Sequence, residues 1–190
     1  MTTKFLKGTT ALAIILTTFA FTNPIKKSID VNTSKVTWVG EKVTGSHNGT
    51  ITLKEGHFNI EDGVPVGGEF VMNMTSIEVT DLSGENKGKL EGHLKSDDFF
   101  GVTTYPTSKL VITKISKKSN GVYGVVGKLT IKNETHPITF DLNWKENSAS
   151  TNLTIDRSKY NVRYGSGSFF DNLGDNTIYD NFDLAVNLKF

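Results

Sequence analysis

Phe182, Leu184, Val186, Leu188 and Phe190 alternate with Asp183, Ala185, Asn187 and Lys189. A period of two places one apolar and one mostly polar face on an extended strand. A strand this apolar on one face is hazardous as a free edge, because its unpaired N–H and C=O groups template pairing with other chains. Pairing it with the first strand of the fold would close a barrel and remove the edges.

Other segments read the same way. Residues 34–43 are a first strand with Val36 and Trp38 on one face. Residues 45–49 read as a glycine-punctuated turn, because Asn48-Gly49 is a hairpin signal. Ile51 and Leu53 are in phase after it, and Gly56 allows a bend. Residues 64–79 place Phe70, Met72 and Met74 together, with Gly67-Gly68 suggesting a bulge. Residues 87–95 read as a short helix with Leu90 and Leu94 one turn apart. Strands at 109–116 and 122–132 flank Asn120-Gly121, a turn follows at 133–137, and Ile138, Phe140, Leu142 and Trp144 alternate with polar residues. A strand at 151–155 and a glycine-rich stretch at 156–176 complete the chain. Many short strands joined by hairpin turns predict an antiparallel all-β domain, either a sandwich or a closed barrel. About eight strands would leave an interior able to hold a small ligand.

One stretch departs from alternation. Residues 93–107 crowd a histidine, two acids and two adjacent phenylalanines before Tyr105-Pro106. Ser96 reads as an N-cap of a short turn, which would favour Asp97 and Asp98 at its start. Phe99 and Phe100 are too apolar to leave in water. Two readings stand: a plug pushing two rings into a hollow interior, or a loop anchored on a filled core.

The N-terminus resembles a targeting segment. Lys4 and Lys7 precede an apolar run at 11–21, too short to span a bilayer comfortably. Residues 1–20 are therefore expected to be a cleaved signal peptide, residues 21–33 a leader, and residues 34–190 the folded domain. Losing Lys4 and Lys7 takes the formal charge from +1 to −1. That near-neutral balance argues against nucleic acid as a partner. The absence of cysteine excludes disulfides and thiolate chemistry. A periplasmic location is expected.

Little in the sequence points to catalysis. His47, His57, His93 and His136 lack the close spacing of metal-binding pairs. Ser166 lies in Gly-Ser-Gly, without the strand-to-helix nucleophile context. Arg157 and Arg163 lie in a polar cluster, suited either to pinning the long loop or to meeting the polar end of a ligand.

The blocks WVGEKVTGSHNGTI (38–51), HLKSDDFF (93–100), YPT (105–107), GKLTI (127–131) and IDRSKYNVRYG (155–165) together resemble the YceI-like family. That resemblance implies an extended, lipocalin-like antiparallel barrel, usually exported, enclosing a polyisoprenoid or isoprenoid-quinone-like chain. Phe99 and Phe100 match the family's double-Phe motif, whereas Gly101 stands where an Asp is common. The turn after the first strand is shorter than in many members. The apolar faces then nominate Trp38, Phe70, Met72, Phe99 and Phe100 as ligand contacts. Phe140, Leu142, Leu184 and Val186 join them, with His93, Arg157 and Arg163 as polar groups at the mouth. No enzyme activity, metal or cofactor is expected beyond the bound lipid. Transient membrane contact and a homodimer stay open as partner expectations. The alternatives are a lipid-modifying enzyme and a ligand-free secreted β-sandwich.

Overall fold

The computed structural model describes residues 23–190, so the predicted signal peptide lies outside the described residues. Nine strands follow in chain order: β1 (Ile25–Ser28), β2 (Lys35–Lys42), β3 (Gly45–Glu61), β4 (Val64–Val79), β5 (Thr107–Ser119), β6 (Val122–Ile131), β7 (Glu134–Lys145), β8 (Ser148–Asp156) and β9 (Ile178–Lys189). One α-helix, α1 (Gly84–Lys95), lies between β4 and β5. The strands β2 to β9 form a closed antiparallel barrel of eight, and β9 pairs with β2 as the edge argument requires. Trp38 lies opposite Leu184, and Val36 opposite Val186, so the apolar faces of both strands meet on the inside.

The barrel has two dissimilar ends. One carries α1 and the loop after it, the β2–β3 and β6–β7 turns and the long connection 157–177. We call this the helix end. The opposite end is sealed by aromatic packing. Phe58 is only 1% exposed and makes edge contacts with Phe70 and Trp144, each at 4.9 Å, and with Phe190 at 5.6 Å. Such edge-on arrangements align ring quadrupoles favourably, worth about 0.5–1.5 kcal/mol per pair beyond burial. Within the stretch read as a leader, β1 adds to the far half of β3. Its Lys27 donates to the Glu146 carbonyl at 2.7 Å and lies over the Phe190 ring, covering the aromatic seal.

The glycines of β3 differ from their sequence reading. The chain turns at Val43-Thr44, and β3 then runs through Asn48-Gly49 and Gly56 as one strand of 17 residues. The glycines there provide space for rings. A Cβ on Gly49 would fall 1.8 Å from the Glu78 carbonyl oxygen and 2.6 Å from the Trp38 ring. A Cβ on Gly56 would fall 2.8 Å from the Phe70 ring. Close approach, of the Glu78 carbonyl and the Trp38 ring at Gly49 and of the Phe70 ring at Gly56, rather than a turn, selects glycine at both positions. Gly49→Ala should therefore lose about 3 kcal/mol in urea unfolding, the upper range for overpacking. Gly88→Ala, on α1 with nothing within 4 Å of the new carbon, is the control and should lose nothing.

The turn expected at 133–137 is shorter. Lys132 and Asn133 both take positive φ, 49° and 65°, and form the two-residue hairpin turn that strand twist favours. His136 and Pro137 are already in β7. β7 pairs with β8 only over Asn143–Lys145, so Pro137, with no N–H to donate, lies in a half of β7 that has no β8 partner.

Candidate ligand cavity

Alternation along eight strands points one apolar row from each into the barrel. The rows do not fill it. A cavity of about 190 Å³ runs between the helix end and the aromatic seal. All nine apolar residues nominated from sequence line it: Trp38, Phe70, Met72, Phe99, Phe100, Phe140, Leu142, Leu184 and Val186. Six of them, including Trp38, Phe100 and Leu184, are half-buried. Sequence reasoning missed Ile77, Leu129, Ile138, Ile155 and Phe182, which also line the cavity. Phe182 was readable, since it shares the alternating face of Leu184. Polar side chains are few. Thr151 lines the cavity but donates its hydroxyl to the Asp141 carbonyl at 2.7 Å.

The double-Phe loop is built as a continuation of α1. Ser96 is the C-cap of that helix rather than the N-cap of another, and its hydroxyl donates to the His93 carbonyl at 2.7 Å. The amide of Gly101, at φ 57°, donates back to the Ser96 carbonyl at 2.7 Å. A glycine in the left-handed region lets the chain fold under the helix end in this way. Asp97 and Asp98 consequently face solvent instead of stabilising a helix start. Phe99 and Phe100 turn inward, with their rings 5.0 Å apart, and Phe100 reaches Phe182 across the cavity at 6.3 Å. Lys132 fastens the loop from the β6–β7 turn, donating to the Phe99 carbonyl at 2.7 Å. Burial lowers the pKa of its ammonium, with Asp97 and Asp98 opposing that shift.

The three polar residues expected at the mouth divide. Arg157 lines the cavity and is 2% exposed. Its guanidinium donates to the carbonyls of Val162 at 2.8 Å, Ile178 at 2.9 Å and Tyr179 at 3.2 Å. It also lies 3.5 Å from an Asp180 oxygen and over the Phe99 ring. Burial lowers the Arg157 pKa, and Asp180 and Asp156 oppose the shift. Three of its N–H groups are thus taken by backbone carbonyls, so Arg157 pins the long connection to β9. His93 and Arg163 do not line the cavity. His93 packs against the rings of Phe99 and Tyr164, and Arg163 lies exposed over Phe169.

Among the described residues, no three His, Cys, Asp or Glu side chains come together as a metal site. Ser166 is fully buried, lies outside the cavity lining, and accepts from the Ser168 amide at 3.1 Å. The cavity thus offers apolar surface and shape, and its one deeply buried charge is already satisfied.

The YceI-like domain model matches residues 28–190. A UPF0312 protein of Shewanella denitrificans is 28% identical over 85 residues, which cover 45% of this chain and 42% of the relative. A UPF0312 protein of Staphylococcus epidermidis is 30% identical over 113 residues, covering 50% and 61%. The chain thus spans about half the length of the curated relatives it matches. Among solved structures, BcnA of Burkholderia cenocepacia superposes with a TM-score of 0.69 at 21% identity, covering 84% of this chain and 98% of that one. A polyisoprenoid-binding domain from Saccharophagus degradans gives 0.61 at 13% identity, covering 87% and 97%. These two structures share the barrel architecture. The match over residues 28–190, borne by a closed eight-stranded barrel with a double-Phe loop at one end, establishes that this chain belongs to the YceI-like family.

Proposed function

We propose that this protein binds a long apolar isoprenoid lipid, a polyisoprenoid or isoprenoid quinone, and carries or sequesters it in the periplasm. The observation that carries the reading is the apolar cavity walled by Trp38, Phe70, Phe140, Leu184 and their neighbours. The resemblance to a polyisoprenoid-binding domain supports the choice of isoprenoid. Moving one methylene from water into such a space gains roughly 0.8 kcal/mol, so a five-carbon unit gains on the order of 3–4 kcal/mol before ordering. On this measure a water needs about 10–15 Å³, so the cavity takes on the order of a dozen water-sized spheres, or roughly two to three isoprene units. A charged N-terminal stretch followed by an apolar run supports export. Transient membrane contact belongs to the same reading. Tyr164, Phe169, Phe170 and Tyr179 are each more than 40% exposed, and all lie at the helix end. The two tyrosines, each an apolar ring with a polar tip, favour a lipid–water boundary.

Native mass spectrometry of protein purified from its own cells, followed by organic extraction, tests the reading. A co-purifying mass with isoprene-unit spacing is the expected result. Gently handled protein that is wholly free of lipid, and that takes none up from micelles, would overturn it.

A further inference from the structure

The wall between β2 and β9 breaks at the helix end. Gly40 pairs with Phe182 and Lys42 with Ile178, so two steps along β2 span four along β9. The surplus residues of β9 bow out of the ladder, as bulged strands do. The break is held in place, because Arg157 takes the carbonyls of Ile178 and Tyr179 on this stretch. The cavity reaches the break. Glu41, Tyr179 and Asn181 all border the cavity, although each is exposed on the outside of its strand.

Gly40 borders this gap, as the last residue of β2 paired with β9 before the break. By alternation it shares the inward face of Val36 and Trp38, and it too borders the cavity. Its φ is not positive, and a Cβ there would meet nothing within 4 Å. Neither the backbone nor a close neighbour therefore requires glycine. Gly49, nine residues on, is the contrast, since a Cβ there collides with backbone. What Gly40 supplies is an unfilled position on an inward row.

We infer that the β2–β9 gap is the port through which an apolar chain enters the cavity, and that Gly40 sets its width. The inference rests on the carrier reading. It routes cargo through the barrel side, past the double-Phe loop that Lys132 fastens over the helix end. A chain longer than the cavity would emerge here, beside the exposed aromatic ring of Tyr179.

The test compares Gly40→Ala with Gly40→Phe, using Gly40→Leu if phenylalanine disturbs the fold. Loading is followed with dansyl-labelled farnesol supplied in detergent micelles, by energy transfer from tryptophan. Access without lipid is followed by acrylamide quenching of Trp38 in a Trp144→Phe background, where Trp38 is the sole indole. Gly40→Phe should slow loading by about tenfold, as when binding must wait for an opening motion. It should also cut quenching of Trp38, while keeping the parental melting temperature. Gly40→Ala, which adds one methyl to the same position, should slow loading less than Gly40→Phe does. A folded Gly40→Phe protein that loads at the parental rate overturns the port. If the parent itself takes up no probe, the carrier reading falls. Quenching then decides the port alone: a drop in Gly40→Phe upholds the gap as the cavity's opening, and no change overturns it.

Discussion

Arg157→Met should destabilise this protein by about 3–5 kcal/mol, the range for breaking a buried charge pair. The residue is 2% exposed, its N–H groups satisfy three backbone carbonyls without water, and its charge lies 3.5 Å from an Asp180 oxygen. Methionine matches the length of the stem but donates nothing. The carbonyls of Val162, Ile178 and Tyr179 would then be left in a protein interior, each carrying a desolvation penalty of about 1–3 kcal/mol unless the loop opens to water. One Asp180 oxygen already lacks a hydrogen bond and would also lose its nearby cation, although the other still accepts from Ser168. Arg157→Lys should recover only part of the loss, because an ammonium cannot serve three divergent acceptors with the geometry of a planar fork. Urea unfolding followed by circular dichroism measures both variants. A loss below about 1 kcal/mol for Arg157→Met would mean that water replaces the guanidinium freely, and the β9 break would not then depend on it.

The same residue shows what the sequence could and could not convey. Arg157 and Arg163 look alike in sequence, six residues apart in one polar cluster. Only the three-dimensional path of 157–177, which brings Ile178, Tyr179 and Val162 around one of them, separates pin from surface cation. The antiparallel sheet was legible, because strict alternation in 182–190 gives one inward face and demands a partner, whereas closure into a barrel rather than a sandwich was implied only by the family resemblance. The cavity lining was legible in part for the same reason: the inward rows gave Phe140 and Leu184, although Ile138 and Phe182 on those same rows were passed over. Turn chemistry misled where glycine had a second use. Asn48-Gly49 has the composition of a hairpin turn, but the Glu78 carbonyl and the Trp38 indole occupy the space of the missing side chain. Ser96 misled because serine serves either end of a helix. It closes α1 through the His93 carbonyl, which local sequence does not distinguish from opening a new turn. The residues of β1 carried too short a pattern to register, and their pairing with β3 is set by the sheet edge they meet.

The double change Phe99→Asp/Phe100→Asp should abolish lipid loading while leaving a folded barrel. The two positions are not equivalent. Phe99 is 6% exposed and wedged between His93, Phe100 and the Arg157 guanidinium, so it is part of the wall. Phe100 is half-buried and faces Phe182 across open space, so it is part of the lining. A carboxylate at position 99 would arise beside Arg157 and compete with backbone carbonyls for its donors, which limits the stability loss but loosens the loop. A carboxylate at position 100 would project into an apolar space. There it must either hold water in the cavity or become protonated, since burying an unpaired charge is far more unfavourable than burying a methylene is favourable. Either outcome removes the dry surface on which binding depends. Phe100→Ala separates the two effects, since it enlarges the cavity without bringing in charge. It should keep lipid bound with a modest loss of stability, below the roughly 3–5 kcal/mol of a fully buried Phe→Ala change. Native mass spectrometry of each variant, beside its thermal melt, reads both quantities. A folded double variant that retains lipid at the parental ratio would show that the two rings stand beside the bound chain without enclosing it. The double-Phe loop would then be a structural cap on α1.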